Sequence, residues 1–150
     1  MKVPEMLETN RLILRTFPKE SPNEFLDSYR ILESGISLVI SSKENELVLG
    51  TCGLYLIENG ISIGCVYALL PEFRGNGYAI EAMQALIEYA FTKLEFSTIF
   101  AYIHPNNTDG WKVAERIGMK YLGDVIHKDF SPRAMFFTIK KTEFLAQRSY

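Results

Sequence analysis

Leu69-Leu70-Pro71-Glu72-Phe73-Arg74-Gly75-Asn76-Gly77-Tyr78-Ala79-Ile80 joins an apolar run, Ile61 to Leu70, to a segment where Ile80, Met83, Ile87, Ala90, Phe91 and Leu94 recur on one stripe. Glu81, Gln84, Glu88 and Lys93 fall off that stripe, so the second segment reads as an amphipathic helix. The stretch therefore describes a strand, a glycine-flanked turn and a helix N-terminus. The first amides of a helix lack intrahelical partners and the helix dipole adds about half a positive charge there, so such a turn attracts anions. Gly75 and Gly77 permit positive φ and close approach to a ligand, and Arg74 can add a charge-assisted contact to a phosphate. A pyrophosphate suits this chemistry, although a GxG taken alone also suits a plain tight turn. Ile80 stands where a Rossmann fingerprint needs its third glycine, and the chain has no Walker GxxxxGK[ST] loop.

Upstream of this stretch, Ile36 to Ile40, Leu47 to Ile57 and Ile61 to Leu70 are rich in β-branched and aromatic residues. The polar turn Ser42 to Asn45 and the hairpin signal Asn59-Gly60 separate them, which predicts three consecutive antiparallel strands. Further back, Leu7 to Phe17 contains the short strand core Leu12-Ile13-Leu14, and Pro18 to Pro22 is a loop of breakers and charges. From Asn23 to Glu33, Phe25, Leu26, Tyr29 and Leu32 fall near helical spacing, with Gly35 as the stop. Downstream, Ser97 to Ile103 returns to strand composition and Thr108 to Ile117 is a second helix closed by Gly118. Tyr121 to Ile126 and Arg133 to Ile139 finish as a strand pair. The order strand, helix, three strands, helix, strand, helix, two strands predicts a mixed α/β single domain over residues 1–150.

Bulk properties narrow the partners. The chain has 150 residues, 47% hydrophobic and 23% charged, which is ordinary globular composition with enough length for one real core. A formal net charge of −2 offers no basic field for nucleic acid. Cys52 and Cys65 lie in apolar runs without CxxC spacing, so they are expected to be reduced core residues and no metal site is expected. The start Met1-Lys2-Val3-Pro4-Glu5 lacks a signal-peptide pattern, and no apolar segment approaches the roughly 20 residues that cross a bilayer. A cytoplasmic protein with no membrane partner is the resulting expectation.

Arg74-Gly75-Asn76-Gly77-Tyr78-Ala79 matches the [QR]xxGx[GA] pattern of the GNAT acetyltransferases, and the chain resembles most the branch acetylating N-terminal amines of ribosomal proteins. Leu7-Glu8-Thr9-Asn10-Arg11-Leu12-Ile13-Leu14-Arg15 is similar to that family's opening strand, and Asn107 to Met119 is similar to its NxxSxxxxEKxGF segment, in the family's order. The resemblance implies a GNAT-like fold: a central, mostly antiparallel sheet of about seven strands flanked by helices, splayed at the strand before the loop. It implies acetyl-CoA as cosubstrate and an amine acceptor, a protein N-terminus or a small molecule. Pantetheine would pair with the main chain of Tyr67, Ala68 and Leu69, as an added peptide strand would. The pyrophosphate would lie on Gly75, Asn76, Gly77, Tyr78, Ala79 and Ile80, with Arg74 beside it and Asn107 reaching in from the other side. Asn107 also suits the cap of the helix that follows it.

The catalytic groups are harder to place. By resemblance, a backbone N–H near Leu69 or Leu70 would receive the developing oxyanion. The related branch carries a glutamate on the strand before the loop, and Gly64 or a neighbour stands there; Ile61 to Leu70 holds no carboxylate. Gly110 takes the serine position of NxxS, and Ala114 takes a position where other branches carry a tyrosine. Tyr67 is the polar side chain nearest in sequence to the expected thioester, though a strand tyrosine is otherwise a half-buried packing residue. Missing base and acid leave a catalytically silent acyl-CoA-binding sensor or subunit as the alternative. Met135 to Ile139 reads as an apolar edge that a second copy could pair, giving a possible homodimer.

Overall fold

The computed structural model describes residues 2–17, 35–56, 62–127 and 130–147, with main chain alone at 130–132. Its strands are β1 (Met6–Glu8), β2 (Leu12–Thr16), β3 (Gly35–Ser42), β4 (Val48–Leu56), β5 (Ser62–Leu69), β6 (Thr98–Ile103), β7 (Lys120–His127) and β8 (Phe130–Lys140). The helices are α1 (Tyr78–Thr92), α2 (Thr108–Arg116) and α3 (Lys141–Gln147), with a 3-10 turn at Pro71–Phe73. One sheet runs β1-β2-β3-β4-β5-β6-β8-β7, antiparallel throughout except for β5 against β6. The helix expected over Asn23 to Glu33 lies outside the described residues.

The sheet has eight strands where about seven were expected, because the Leu7 to Phe17 run folds back on itself. Leu7 pairs with Leu14 and Glu8 with Ile13. Between them Thr9 Oγ1 accepts from the Leu12 N–H at 3.0 Å, and the Thr9 N–H donates to the Leu12 carbonyl at 2.9 Å. A threonine hydroxyl that satisfies backbone groups locally gives the chain an alternative to a continuous ladder. Helix α3 was not expected either. Its buried anchor is Phe144, whose ring lies 5.6 Å from that of Phe91, and a seven-residue helix with its apolar residues consecutive, Phe144-Leu145-Ala146, leaves no helical periodicity to detect.

The expectation that Met135 to Ile139 forms a free edge is corrected. β8 lies between β6 and β7, with Phe136 paired to Tyr102 and Phe137 paired to Tyr121, so its main chain is engaged on both sides. Composition identifies a strand but carries no information on which long-range partners flank it. Among the described residues the sheet ends at β1 and β7.

Helix α1 covers one face of the sheet. Its buried residues Ala82, Met83, Leu86, Ile87, Ala90 and Phe91 share a core with Ile63, Cys65, Ile99, Ala101, Phe137 and Ile139. Those sheet residues alternate with Gly64, Phe100, Phe136 and Thr138, which therefore face the opposite side. Cys52 and Cys65 are free and buried. Burial pushes both thiols up, Cys65 to about 12, so neither ionises near neutrality.

Gly64 is a glycine for a packing reason. A Cβ there would lie 2.1 Å from Cζ of Tyr55, whose ring rests on the strand across from it. Gly64→Ala is therefore expected to cost about 1–3 kcal/mol through overpacking. A thermal melt checks it, and a midpoint within error of the parent would contradict the contact.

The ladder between β5 and β6 is short. Ser62, Ile63 and Gly64 pair with Thr98, Ile99 and Phe100, and pairing then stops although β5 continues to Leu69. The sheet opens at this point.

Candidate active site

A cavity of about 380 Å³ lies where the sheet opens. Tyr67, Ala68 and Leu69 wall it from β5; Arg74, Gly75, Gly77, Tyr78, Ala79 and Ile80 wall it from the loop and the first turn of α1. Asn107 closes the third side at the start of α2. The residues expected to hold the cofactor thus meet in one place except Asn76, which is not on the wall. Asn76 works inside the loop: its carbonyl accepts from Arg11 Nη1 at 2.9 Å and its amide donates to the Phe73 and Arg74 carbonyls.

The loop conformation follows from its glycines. Gly75 has φ 85° and Gly77 has φ 77°, the latter as N-cap of α1 in the left-handed region that side-chain-bearing residues avoid. Gly75, Gly77, Tyr78, Ala79 and Ile80 all stand on the cavity wall, so the loop and the first turn of α1, whose amides lack intrahelical partners, border the cavity. Arg74 Nε donates to the Leu69 carbonyl at 3.2 Å and ties the loop to β5.

A second tie comes from the opening hairpin and was not expected. Arg11 Nε meets Glu81 Oε1 at 2.7 Å, the Arg11 N–H donates to Glu81 Oε2 at 2.8 Å, and Thr9 Oγ1 donates to the same carboxylate. The Arg11 guanidinium also lies 4.5 Å from the centroid of the Tyr78 ring. Partial burial works to raise the Glu81 pKa. The hydrogen bonds from Thr9 and Arg11, with the guanidinium charge, outweigh it and hold the carboxyl below its usual range. Glu81 is thereby a structural brace, and its spacing of 70 residues from Arg11 left no local signal.

The main chain of β5 has an open side. The Leu70 N–H donates to the Leu49 carbonyl at 2.9 Å, so Leu70 faces β4. By the two-residue alternation of an antiparallel ladder, Tyr67 and Leu69 direct their N–H and C=O groups away from β4, toward the gap, where the Leu69 carbonyl accepts from Arg74 and the Leu69 N–H faces the opening. Of the two amides considered for an oxyanion, Leu70 is engaged and Leu69 points into the opening.

On the third side Asn107 caps α2, its Oδ1 accepting from the Gly110 N–H at 3.0 Å. A Cβ at Gly110 would come 2.5 Å from Asn107 Nδ2, so the glycine in the serine position is what lets the asparagine fold back. Tyr67 reaches across from β5 and donates its hydroxyl to the Gly110 carbonyl at 2.6 Å. Burial first, then the neighbouring Cys65, raises the Tyr67 pKa well above its ordinary value; a backbone hydrogen bond at Ala114 works against them. The phenol therefore stays protonated across the physiological range and is no base. It does bring a hydroxyl beside positions 110 and 114, where Gly110 and Ala114 themselves supply none.

Lys112 and Arg116 also line the cavity and were not singled out. They stand one helical turn apart on α2, so both cations project from one side of that helix. His104 is not on the wall; its Nδ1 accepts from the Asn106 N–H at 3.0 Å.

The family model described as "Acetyltransferase (GNAT) domain" matches residues 4–120. The uncharacterized protein YkkB of Bacillus subtilis (strain 168) is 37% identical over 105 residues, which are 68% of this chain and 60% of that protein. The chain thus spans at most about 60% of the length of the curated relatives it matches. Among solved structures, the acetyltransferase (GNAT family) from Bacillus anthracis superposes with a TM-score of 0.76 at 18% identity, over 92% of this chain and 99% of that one. The aminoglycoside acetyltransferase AAC(6')-Ib in complex with coenzyme A gives 0.68 at 21% identity, over 78% of this chain and 72% of that one. At these identities the likeness is one of fold.

Proposed function

Because this chain belongs to the GNAT acetyltransferase family, whose cosubstrate is acetyl-CoA, we propose that residues 1–150 form one acyl-CoA-binding domain that moves acetyl from acetyl-CoA to a primary amine. The observation that carries this reading is the meeting of an open strand edge, two left-handed glycines at a helix N-terminus and three cations around one cavity. In this reading the pantetheine amides pair with the main chain of Tyr67 to Leu69. The pyrophosphate rests on the amides from Gly75 to Ile80, with Asn76 holding the loop from within. Arg74, Lys112 and Arg116 supply positive charge to the cofactor's phosphates, and Asn107 offers its amide from the α2 side.

In the transfer, the lone pair of a neutral amine attacks the thioester carbonyl and a C–N bond forms. The carbonyl oxygen becomes negative within reach of the Leu69 N–H, then the C–S bond breaks and its electron pair leaves on sulfur. The ammonium proton passes to solvent. The thiolate, of ordinary pKa near 8.5, takes its proton from water, while the Tyr67 hydroxyl, kept protonated by burial, is placed as a hydrogen-bonding group beside the gap. No carboxylate stands on β5, and Asp109 at the start of α2 is the acidic residue on the described cavity wall; the incoming ammonium gives up its proton to water before the attack. The acceptor belongs to a protein N-terminus or to a small molecule.

The test is acetyl-CoA-dependent release of free thiol across a panel of amines and peptides, run beside Tyr67→Phe. We expect turnover with at least one amine. In Tyr67→Phe the unpaired Gly110 carbonyl is expected to cost about 1–3 kcal/mol of stability, and kcat is expected to fall more than KM for acetyl-CoA rises. Tight cofactor binding with no thiol release from any amine would overturn the transferase reading.

A further inference from the structure

A second cavity, of about 360 Å³, lies on the sheet face away from α1. Its described walls are the rings of Tyr55, Phe100, Tyr102, Phe136 and His127, together with Ser62, Thr98 and Thr138. The rings form one connected cluster. Tyr55 meets Phe100 edge-on at 5.7 Å, Phe100 meets Tyr102 at 5.4 Å, Tyr102 stacks on Phe136 at 5.2 Å, and His127 lies 4.6 Å from Tyr102. Phe100 is buried yet stands outside the core shared with α1, so the cluster is a packing unit of its own.

Its position connects it with the reaction site. The Tyr55 ring rests on Gly64, and Gly64 with Phe100 is the last pair before β5 and β6 part. Tyr67, on the wall of the first cavity, is three residues further along β5, a rise of roughly 10 Å. The cofactor reading fills the helix side of the opening, which leaves the aromatic side for the acceptor to approach by.

Resting on that acetyl-transfer reading, we infer that this aromatic cavity takes the acceptor, and that it selects a primary monoamine with an aromatic body over a polyamine. Stacked and edge-on rings offer flat apolar contact to such a body, and their π faces stabilise a single ammonium before it loses its proton. No carboxylate is among the described wall residues. Among those described residues the several ammoniums of a polyamine would find no counter-charge for the hydration they lose, a cost that the rings offset for one charge more readily than for several. A short chain between ring and nitrogen lets the ring sit on the cluster while the amine reaches the gap beside Tyr67.

The experiment measures thiol release by the full chain with 2-phenylethylamine and with spermidine, in the parent and in Tyr102→Leu, which keeps apolar volume and removes the π face. The expected result is a kcat/KM for phenylethylamine above that for spermidine by on the order of tenfold, the scale of a desolvated cation–π contact. KM for phenylethylamine should rise several-fold in Tyr102→Leu while KM for acetyl-CoA stays put. Spermidine used as well or better, or an unchanged amine KM in the variant, overturns the inference. If Tyr102→Leu does not fold, Phe136→Leu takes its place. NMR of ring carbons titrated with phenylethylamine separates the two readings. Shifts at the cluster with no turnover of any amine sink the transferase reading and keep the cavity; turnover of other amines without such shifts sinks the cavity assignment alone.

Discussion

Gly77→Val is expected to weaken acetyl-CoA binding by on the order of 100-fold while leaving the protein folded. Position 77 holds φ 77° as the N-cap of α1, a conformation that costs a β-branched residue about 1–3 kcal/mol. That is a fraction of the roughly 5–15 kcal/mol by which a domain is stable, so unfolding is not the main consequence. Relief of the strain instead turns the peptide units on either side, whose amides are the proposed pyrophosphate donors. One charge-assisted hydrogen bond lost is about 1.5–3 kcal/mol, or roughly 10- to 100-fold in affinity. The added Cβ would also stand 3.4 Å from Arg11 Nη2 and press on the brace beneath the loop. Gly75→Ala is the companion measurement. Its φ of 85° is equally left-handed, but nothing lies within 4 Å of the added carbon, so the expected loss is confined to about 1–2 kcal/mol of backbone strain. Calorimetric titration with coenzyme A checks both variants, and parent-like affinity in Gly77→Val would remove the loop from the binding site.

Arg11→Ala has the second-largest expected effect, although Arg11 is not on the cavity wall. The substitution removes the Nε contact to Glu81, the Nη1 contact to the Asn76 carbonyl and the cation over Tyr78. The Arg11 side chain is 42% exposed, so the ion pair itself is worth only about 0.5–1 kcal/mol after solvent screening. The larger consequence is a loop held on one side instead of two. KM for acetyl-CoA is expected to rise about tenfold, with a smaller change in kcat. Arg11→Lys should recover part of this, since an ammonium keeps the charge but cannot bridge Glu81 and Asn76 as a fork does. The brace also predicts a pH dependence. Glu81 has a depressed folded pKa, so its contribution is present above the ordinary glutamate value of about 4.3 and is lost as pH falls through the lower folded value. Urea unfolding of the parent and of Glu81→Gln at neutral pH and below pH 4 measures it. The parent should lose stability more steeply, and parallel losses would show that the carboxylate does not brace the loop.

The two predictions divide according to what can be read locally. Gly75 and Gly77 announce themselves, because a backbone that must take positive φ selects glycine wherever the chain ends up. Arg11 announces nothing: an arginine two residues after a threonine is common, and its meaning comes from Glu81 and Asn76, 65 to 70 positions away. Tyr67 falls between these cases. Its place on a strand facing the gap was legible, but its hydroxyl bond to Gly110 depends on how α2 packs across that gap. Gly110 and Ala114 read as missing catalytic side chains in the sequence, whereas the fold shows Gly110 making room for the Asn107 cap and accepting from Tyr67.

By itself, then, the sequence determined the strand-turn-helix unit, the buried stripe of α1, the cap at Asn107 and, through the resemblance they carry, the cofactor. Each is written in residues close together along the chain, where dihedral preference and the 3.6-residue period act. Tertiary structure decided the eighth strand, the interior place of β8, the brace from Arg11, and the aromatic cavity on the far face of the sheet. These depend on pairings between strands distant in sequence, and a strand's composition shows that it will pair without showing with which neighbour.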